Sequence, residues 1–142
     1  MQKRTCVSSL KFEEYVVESI NLHINKEFQA DGQAIPIDLE VGRQLEYRDN
    51  NGCTEITTSV RLNVFQNAQE NNYPYELELV VVGIFSTLEK EQEQIKKFAE
   101  LNTLTIMFPY LRALVSTITA NANITPLILP PINVTNLVEK NE

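Results

Sequence analysis

At 142 residues, with 43% hydrophobic and 22% charged residues, the chain has the composition of one globular domain with a single core rather than of a disordered segment. Nineteen acidic residues oppose twelve basic ones, and the net charge of −7 argues against binding to nucleic acid, which needs a basic face, and to an anionic membrane. No apolar run reaches membrane-spanning length and the start, MQKRTCVSSLKFEEY, has no apolar h-region, so a cytoplasmic location is expected.

In chain order, residues 1–8 read as a frayed start, and a first strand follows from Leu10 to about Ile24. Leu10 and Phe12 share one face, and Ile20, Leu22 and Ile24 share one face further on. The run Tyr15, Val16, Val17 between them predicts a bulge. Glu13, Glu14 and Glu18 suit an edge. His23, the only histidine, alternates with Leu22 and Ile24 and reads as structural. Lys26 to Gln33 is a polar connection whose one large apolar residue, Phe28, is either a small anchor or a lid over a groove. The alternation of Ile35, Ile37, Leu39 and Val41, continued by Leu45 and Tyr47, predicts a second strand over 35–47, with Pro36 at its start or on an edge. Asn-Gly chemistry in Arg48 to Gly52 predicts a hairpin turn. The third strand takes Thr54 to Phe65 and the fourth about Tyr75 to Phe85, joined by a polar loop, Gln66 to Asn72. The fourth is apolar on both faces in its later half, while Glu76 and Glu78 mark its early half.

A helix is predicted over Leu88 to Leu101, with glutamates early and lysines late to suit its dipole. Asn102 or Thr103 then caps a second helix. That helix carries one apolar seam of Leu104, Phe108, Leu111, Val115 and Ile118, ending at Ala122. Ile106, Tyr110, Ala113 and Thr117 lie on another face. Pro109 is expected to kink it. Pro126 to Pro131 must be extended, and Asn133 caps a last short helix over 134–139. The order of elements predicts an α+β fold: a four-stranded antiparallel sheet with helices on one face, in a single domain spanning 1–142. Two seams on one helix call for two covers, the sheet and another subunit. Leu104, Phe108, Leu111, Val115 and Ile118 are assigned to the subunit interface.

No Ser-His-Asp, Cys-His or glycine-rich phosphate pattern stands out, so no enzyme, cofactor or metal site is expected. Cys6 and Cys53 follow no metal spacing and are expected as reduced thiols, with a mutual disulfide as the lesser alternative. A binding groove fits better. The loop with Phe28, the alternating strand of Ile35 to Val41 and the run Leu127 to Val138 would wall an apolar groove suited to an extended, unfolded chain. A closed small-ligand or isomerase-like pocket is the reading from a different class.

The run FPYLRALVSTIT, with Phe108, Pro109, Tyr110 and Arg112, is followed by PLILPPIN, with Pro126, Leu127, Leu129, Pro131, Ile132 and Asn133. Together they resemble the signature of the SecB protein-export chaperones. The resemblance implies a homotetramer built as a dimer of dimers. It implies a holdase that keeps secretory precursors unfolded without ATP and passes them to the SecA motor. On it, Ile35, Ile37 and Leu39 match groove positions, and Val134, Leu137 and Val138 fall at the contacts of the last helix. Glu78 matches one position of the acidic face where the motor docks, and adjacent Glu76 adds charge where the family pattern is apolar. Ser19 and His23 stand where that face has acids. A branch of the family holds aggregation-prone antitoxins of toxin–antitoxin systems, and that is the second reading.

Overall fold

The structure is a computed structural model that describes residues 9–131. Its elements run β1 (Lys11–Ile24), β2 (Leu39–Asn50), β3 (Cys53–Val64), α1 (Ala68–Asn71), β4 (Tyr75–Thr87), α2 (Gln92–Lys97) and α3 (Thr103–Asn121). A π-helical turn, Phe98–Asn102, joins the last two. The strands form one four-stranded antiparallel sheet in the order β1-β4-β3-β2, which leaves β1 and β2 at the edges. Among the described residues the chain falls into two compact parts. One holds 9–14, 45–58 and 83–131, the other 15–44 and 59–82.

The β2–β3 turn is as the Asn-Gly pair requires. Asn51 (φ 55°) and Gly52 (φ 79°) both take the left-handed conformation of a two-residue hairpin. β2 differs from expectation at both ends, beginning at Leu39 rather than Ile35 and running on to Asn50. Ile35, Pro36 and Ile37 precede it, and the Phe65 N–H donates to the Asp38 carbonyl at 2.9 Å just before it begins. Alternation alone could not separate a proline-containing extended segment from a paired strand. β1 is assigned as one strand over Lys11–Ile24, and near its start the Ser86 hydroxyl of β4 donates to the Glu13 carboxylate at 2.6 Å.

On β3 every even-numbered residue from Ile56 to Val64 is 0% exposed. On β4, Tyr75, Leu77, Leu79, Val81 and Phe85 are buried in the same way. In the first part of the chain, α3 buries Leu104, Met107, Phe108, Leu111 and Val115. Gly83 admits this helix: a Cβ there would lie 2.7 Å from the Met107 sulfur. Phe12 stacks on Phe85 at 4.9 Å and meets the Tyr110 ring edge-on at 5.5 Å. The segment after α3 is extended and is sewn back onto it. The Arg112 Nε–H donates to the Leu129 carbonyl and the Ser116 hydroxyl to the Leu127 carbonyl, both at 2.9 Å, and Leu129 is fully buried.

Three further expectations are corrected. Helix is continuous from Gln92 to Asn121, not two helices with a cap at Asn102 or Thr103. Asn102 has helical backbone angles, and the Thr103 hydroxyl, instead of capping, donates to the Ala99 carbonyl at 2.7 Å and accepts from Thr58 at 3.0 Å. The resulting helix of 30 residues is long and apolar enough by composition to cross a membrane, although a helix with this buried seam is also what a protein core uses. Cys53 is disulfide-bonded rather than a reduced thiol, and its partner lies outside the described residues.

Candidate functional site

The connection from β1 to β2 is held to the β3–β4 loop by side-chain amides. The Asn25 Nδ2 donates to the Ala68 and Tyr73 carbonyls at 3.2 and 2.9 Å, and its backbone N–H donates to the Pro74 carbonyl at 3.0 Å. Further along, Asn72 pairs with the backbone of Gln29 in both directions. The Gln29 N–H donates to Asn72 Oδ1 at 3.0 Å, and Asn72 Nδ2 donates to the Gln29 carbonyl at 2.9 Å. Gln69 adds a 2.7 Å bond to the Glu27 carboxylate.

Between connection and loop lies an open cleft of ≈ 280 Å³, lined by Phe28, Ala34, Ile35, Pro36 and Tyr73 together with the polar Gln29, Asp31, Gln33, Asn71 and Asn72. Phe28, Ile35 and Leu39 are half-buried and Ile37 is 38% exposed. Of the predicted groove residues, the structure brings Phe28 and Ile35 together in this cleft, while Ile37 and Leu39 are not among its walls. Val134, Leu137 and Val138 lie outside the described residues. Sequence reasoning missed Tyr73. Its signal was the Tyr-Pro-Tyr run closing the polar loop, where an aromatic before a proline is held extended. The Tyr73 ring packs on Phe65 at 4.8 Å, and Phe65 meets Tyr75 at 5.3 Å. Burial pushes the Tyr75 phenol above its ordinary pKa.

Glu76 and Glu78 lie in a second, polar cleft of ≈ 370 Å³ with Asn21, His23 and Asn63. His23 thus sits among the carboxylates, on the sheet face where the resemblance led one to expect acids. Glu78 faces Arg61 at 3.9 Å, with side chains 40% and 60% exposed, so solvent screens most of that attraction. Among the described residues no group of three His, Cys, Asp or Glu side chains could hold a metal ion.

The predicted subunit seam is also reassigned. Leu104, Phe108, Leu111 and Val115 are at most 4% exposed in the single chain, so a partner could bury almost nothing more there. Ile118, at the end of that seam, is half-buried. The other face of α3 is the open one: Tyr110 is 43% exposed, and Ala113 and Thr117 are exposed as well. Periodicity found both faces but could not rank them.

Residues 13–142 match the family model described as preprotein translocase subunit SecB. The chain is 35% identical over 130 residues to the uncharacterized protein MJ0357 of Methanocaldococcus jannaschii, covering 92% of this chain and 83% of the other. It is 24% identical to the protein-export protein SecB of Rickettsia akari, covering 86% of each. Among solved structures it resembles Mycobacterium tuberculosis Rv1957, a SecB-like chaperone in complex with a ChAD peptide from the Rv1956 HigA1 antitoxin. That likeness has a TM-score of 0.64 at 16% identity and covers 87% of this chain and 90% of the other.

Proposed function

The chain belongs to the SecB family of chaperones, which are not enzymes, and from that premise we propose that it is an ATP-independent holdase for unfolded polypeptide. The observation that carries this reading is the open cleft in which Phe28, Ile35, Pro36 and Tyr73 lie among the polar side chains Gln29, Asp31, Gln33, Asn71 and Asn72, with Ile37 exposed on the same connection. An open wall of mixed apolar and amide groups suits the side chains and backbone of an extended chain, whereas a shaped small ligand needs an enclosed pocket. Secretory precursors are the first proposed client class, with the SecA motor as receiver at the Glu76 and Glu78 face. The complex that Rv1957 forms supports the second reading, an aggregation-prone antitoxin as dedicated client.

The holdase assembles as a homotetramer, a dimer of dimers. Support for assembly comes from apolar surface that the single chain leaves uncovered. Val16, Ile20 and Ile24 share one face of edge strand β1 and are 54%, 52% and 41% exposed. Exposed Tyr110 supplies a second surface, on α3. Four copies of the cleft would raise avidity without new kinds of contact.

Light scattering tests the holdase reading. A secretory protein diluted from denaturant should aggregate less in the presence of a stoichiometric amount of this chain, with no nucleotide added. Unchanged scattering with the chain folded would count against a general holdase, and the same assay with an antitoxin as client then decides the second reading.

A further inference from the structure

The start of β1, the end of β4 and the start of β3 lie at one end of the sheet, because these neighbouring strands run antiparallel in the order β1-β4-β3. The long helix serves one face there: Thr103 bonds Thr58, Met107 lies over Gly83, and Tyr110 meets Phe12. Strand alternation therefore turns Glu13, Ser86 and Cys53 to the opposite face. On that face Glu13 is hidden, its side chain 6% exposed, and Ser86 is buried beside it. The Ser86 hydroxyl donates to the Glu13 carboxylate at 2.6 Å, and Lys11 Nζ lies 3.7 Å from it. These partners compensate the charge. They do not explain the burial, because an edge-strand side chain turned away from the helix meets water unless something lies over it.

Cys53 points to the cover. Its disulfide partner lies outside the described residues, and the sequence holds one other cysteine, Cys6. Cys6 precedes Lys11, the first residue of β1, by five positions, a reach of roughly 17 Å when extended. β3 is separated from β1 by β4 alone, about 10 Å away at ordinary strand spacing. The chain before β1 is thus long enough to cross Ser86 and reach Cys53. The receiving end is held in place, because Lys90 Nζ donates to the carbonyl of Gly52, the residue before Cys53. We propose that residues 1–8 are a redox-released cover: a Cys6–Cys53 disulfide holds them across Ser86 and Glu13, and its reduction frees them and bares the Glu13 carboxylate. Closing the bond removes two electrons and two protons from the two thiols, and a small-molecule disulfide takes them up as it becomes two thiols. A dithiol reverses the exchange, through thiolate attack on a disulfide sulfur in either direction. The reduced chain gains a polar surface that the oxidised chain lacks. The cover goes beyond the holdase reading and does not depend on it.

Carboxylate labelling of the full chain tests this. The protein is equilibrated with oxidised glutathione or with dithiothreitol, labelled with a carbodiimide and an amine, and mapped by peptide mass. The oxidised chain should yield a Cys6–Cys53 cross-linked peptide and little label on Glu13. Reduction should raise the label on Glu13 severalfold and leave that on exposed Glu14 unchanged, with native circular dichroism. Cys6→Ser should label like the reduced chain even under oxidised glutathione. Absence of the cross-linked peptide from the folded, oxidised chain overturns the disulfide. A cross-link with Glu13 labelling unchanged both by reduction and by Cys6→Ser overturns the cover and assigns the burial of Glu13 to another part of the chain. A merely structural cross-link would move the thermal midpoint without moving that label. A reduced chain that unfolds overturns a local release.

Discussion

The central strands β3 and β4 and the edge strands β1 and β2 are built from similar apolar residues, yet they spend them differently. Val60, Leu62 and Leu79 in the centre are fully buried, while Val16, Ile20 and Tyr47 at the edges are more than half exposed. Fully burying such a side chain is worth about 1.5–3 kcal/mol. The single chain thus collects that term from its centre and forgoes much of it at its edges. The two edges also differ. β2 carries Glu40, Arg43, Glu46, Arg48 and Asp49 along its length, which discourages stray pairing. β1 carries its acids between Glu13 and Glu18, but from Ser19 to Ile24 it has none. Surface left apolar and unguarded in this way marks contact with other chains.

Cutting into the centre should do most damage. Leu111→Ala, at a fully buried position on α3, should cost about 2–5 kcal/mol, read from urea unfolding. A loss below about 1 kcal/mol would mean that this seam is not the core. At the edge the effect should move from folding to assembly. Ile20→Asp should lower the sedimentation mass of the assembly while circular dichroism stays native. If it unfolds the chain instead, β1 belongs to the core and the contrast between edge and centre fails. On the connection, Phe28→Ala should weaken capture of unfolded polypeptide about tenfold, roughly 1.4 kcal/mol by titration, with folding little changed. The smallest effect lies at high pH. Burial raises the folded-state pKa of Tyr75 above the ordinary phenol value of 10.0, so the native state holds this proton more tightly than the unfolded one. The stability contributed is intact below pH 10.0 and is lost as pH rises through the higher folded-state pKa. Tyr75→Phe should flatten that alkaline decline in a series of thermal melts.

Much of this contrast can be read from residues alone. The clean parity of Ile56 to Val64, the Asn51-Gly52 turn and the alternation on β4 place the central strands, because local physics decides them. The long gapped pattern from Phe108 to Asn133 carried the family. What eluded reading depends on contacts distant in sequence. The bond from Thr58 to Thr103 lies at a separation of 45 residues, and it engages the threonine expected to cap a helix. Tyr73 joins the cleft only because Asn25 and Asn72 draw the connection against its loop. The choice between the two faces of α3 depended on Gly83, whose missing side chain lets Met107 approach β4.

The central claim is that apolar surface left open on the connection and edges serves unfolded chains. Calorimetric titration tests it most directly, using one secretory protein in a permanently unfolded form and again in its folded form. The expected result is heat of binding with the unfolded form alone. Equal binding to both forms, or binding to neither by a properly folded chain, would contradict it.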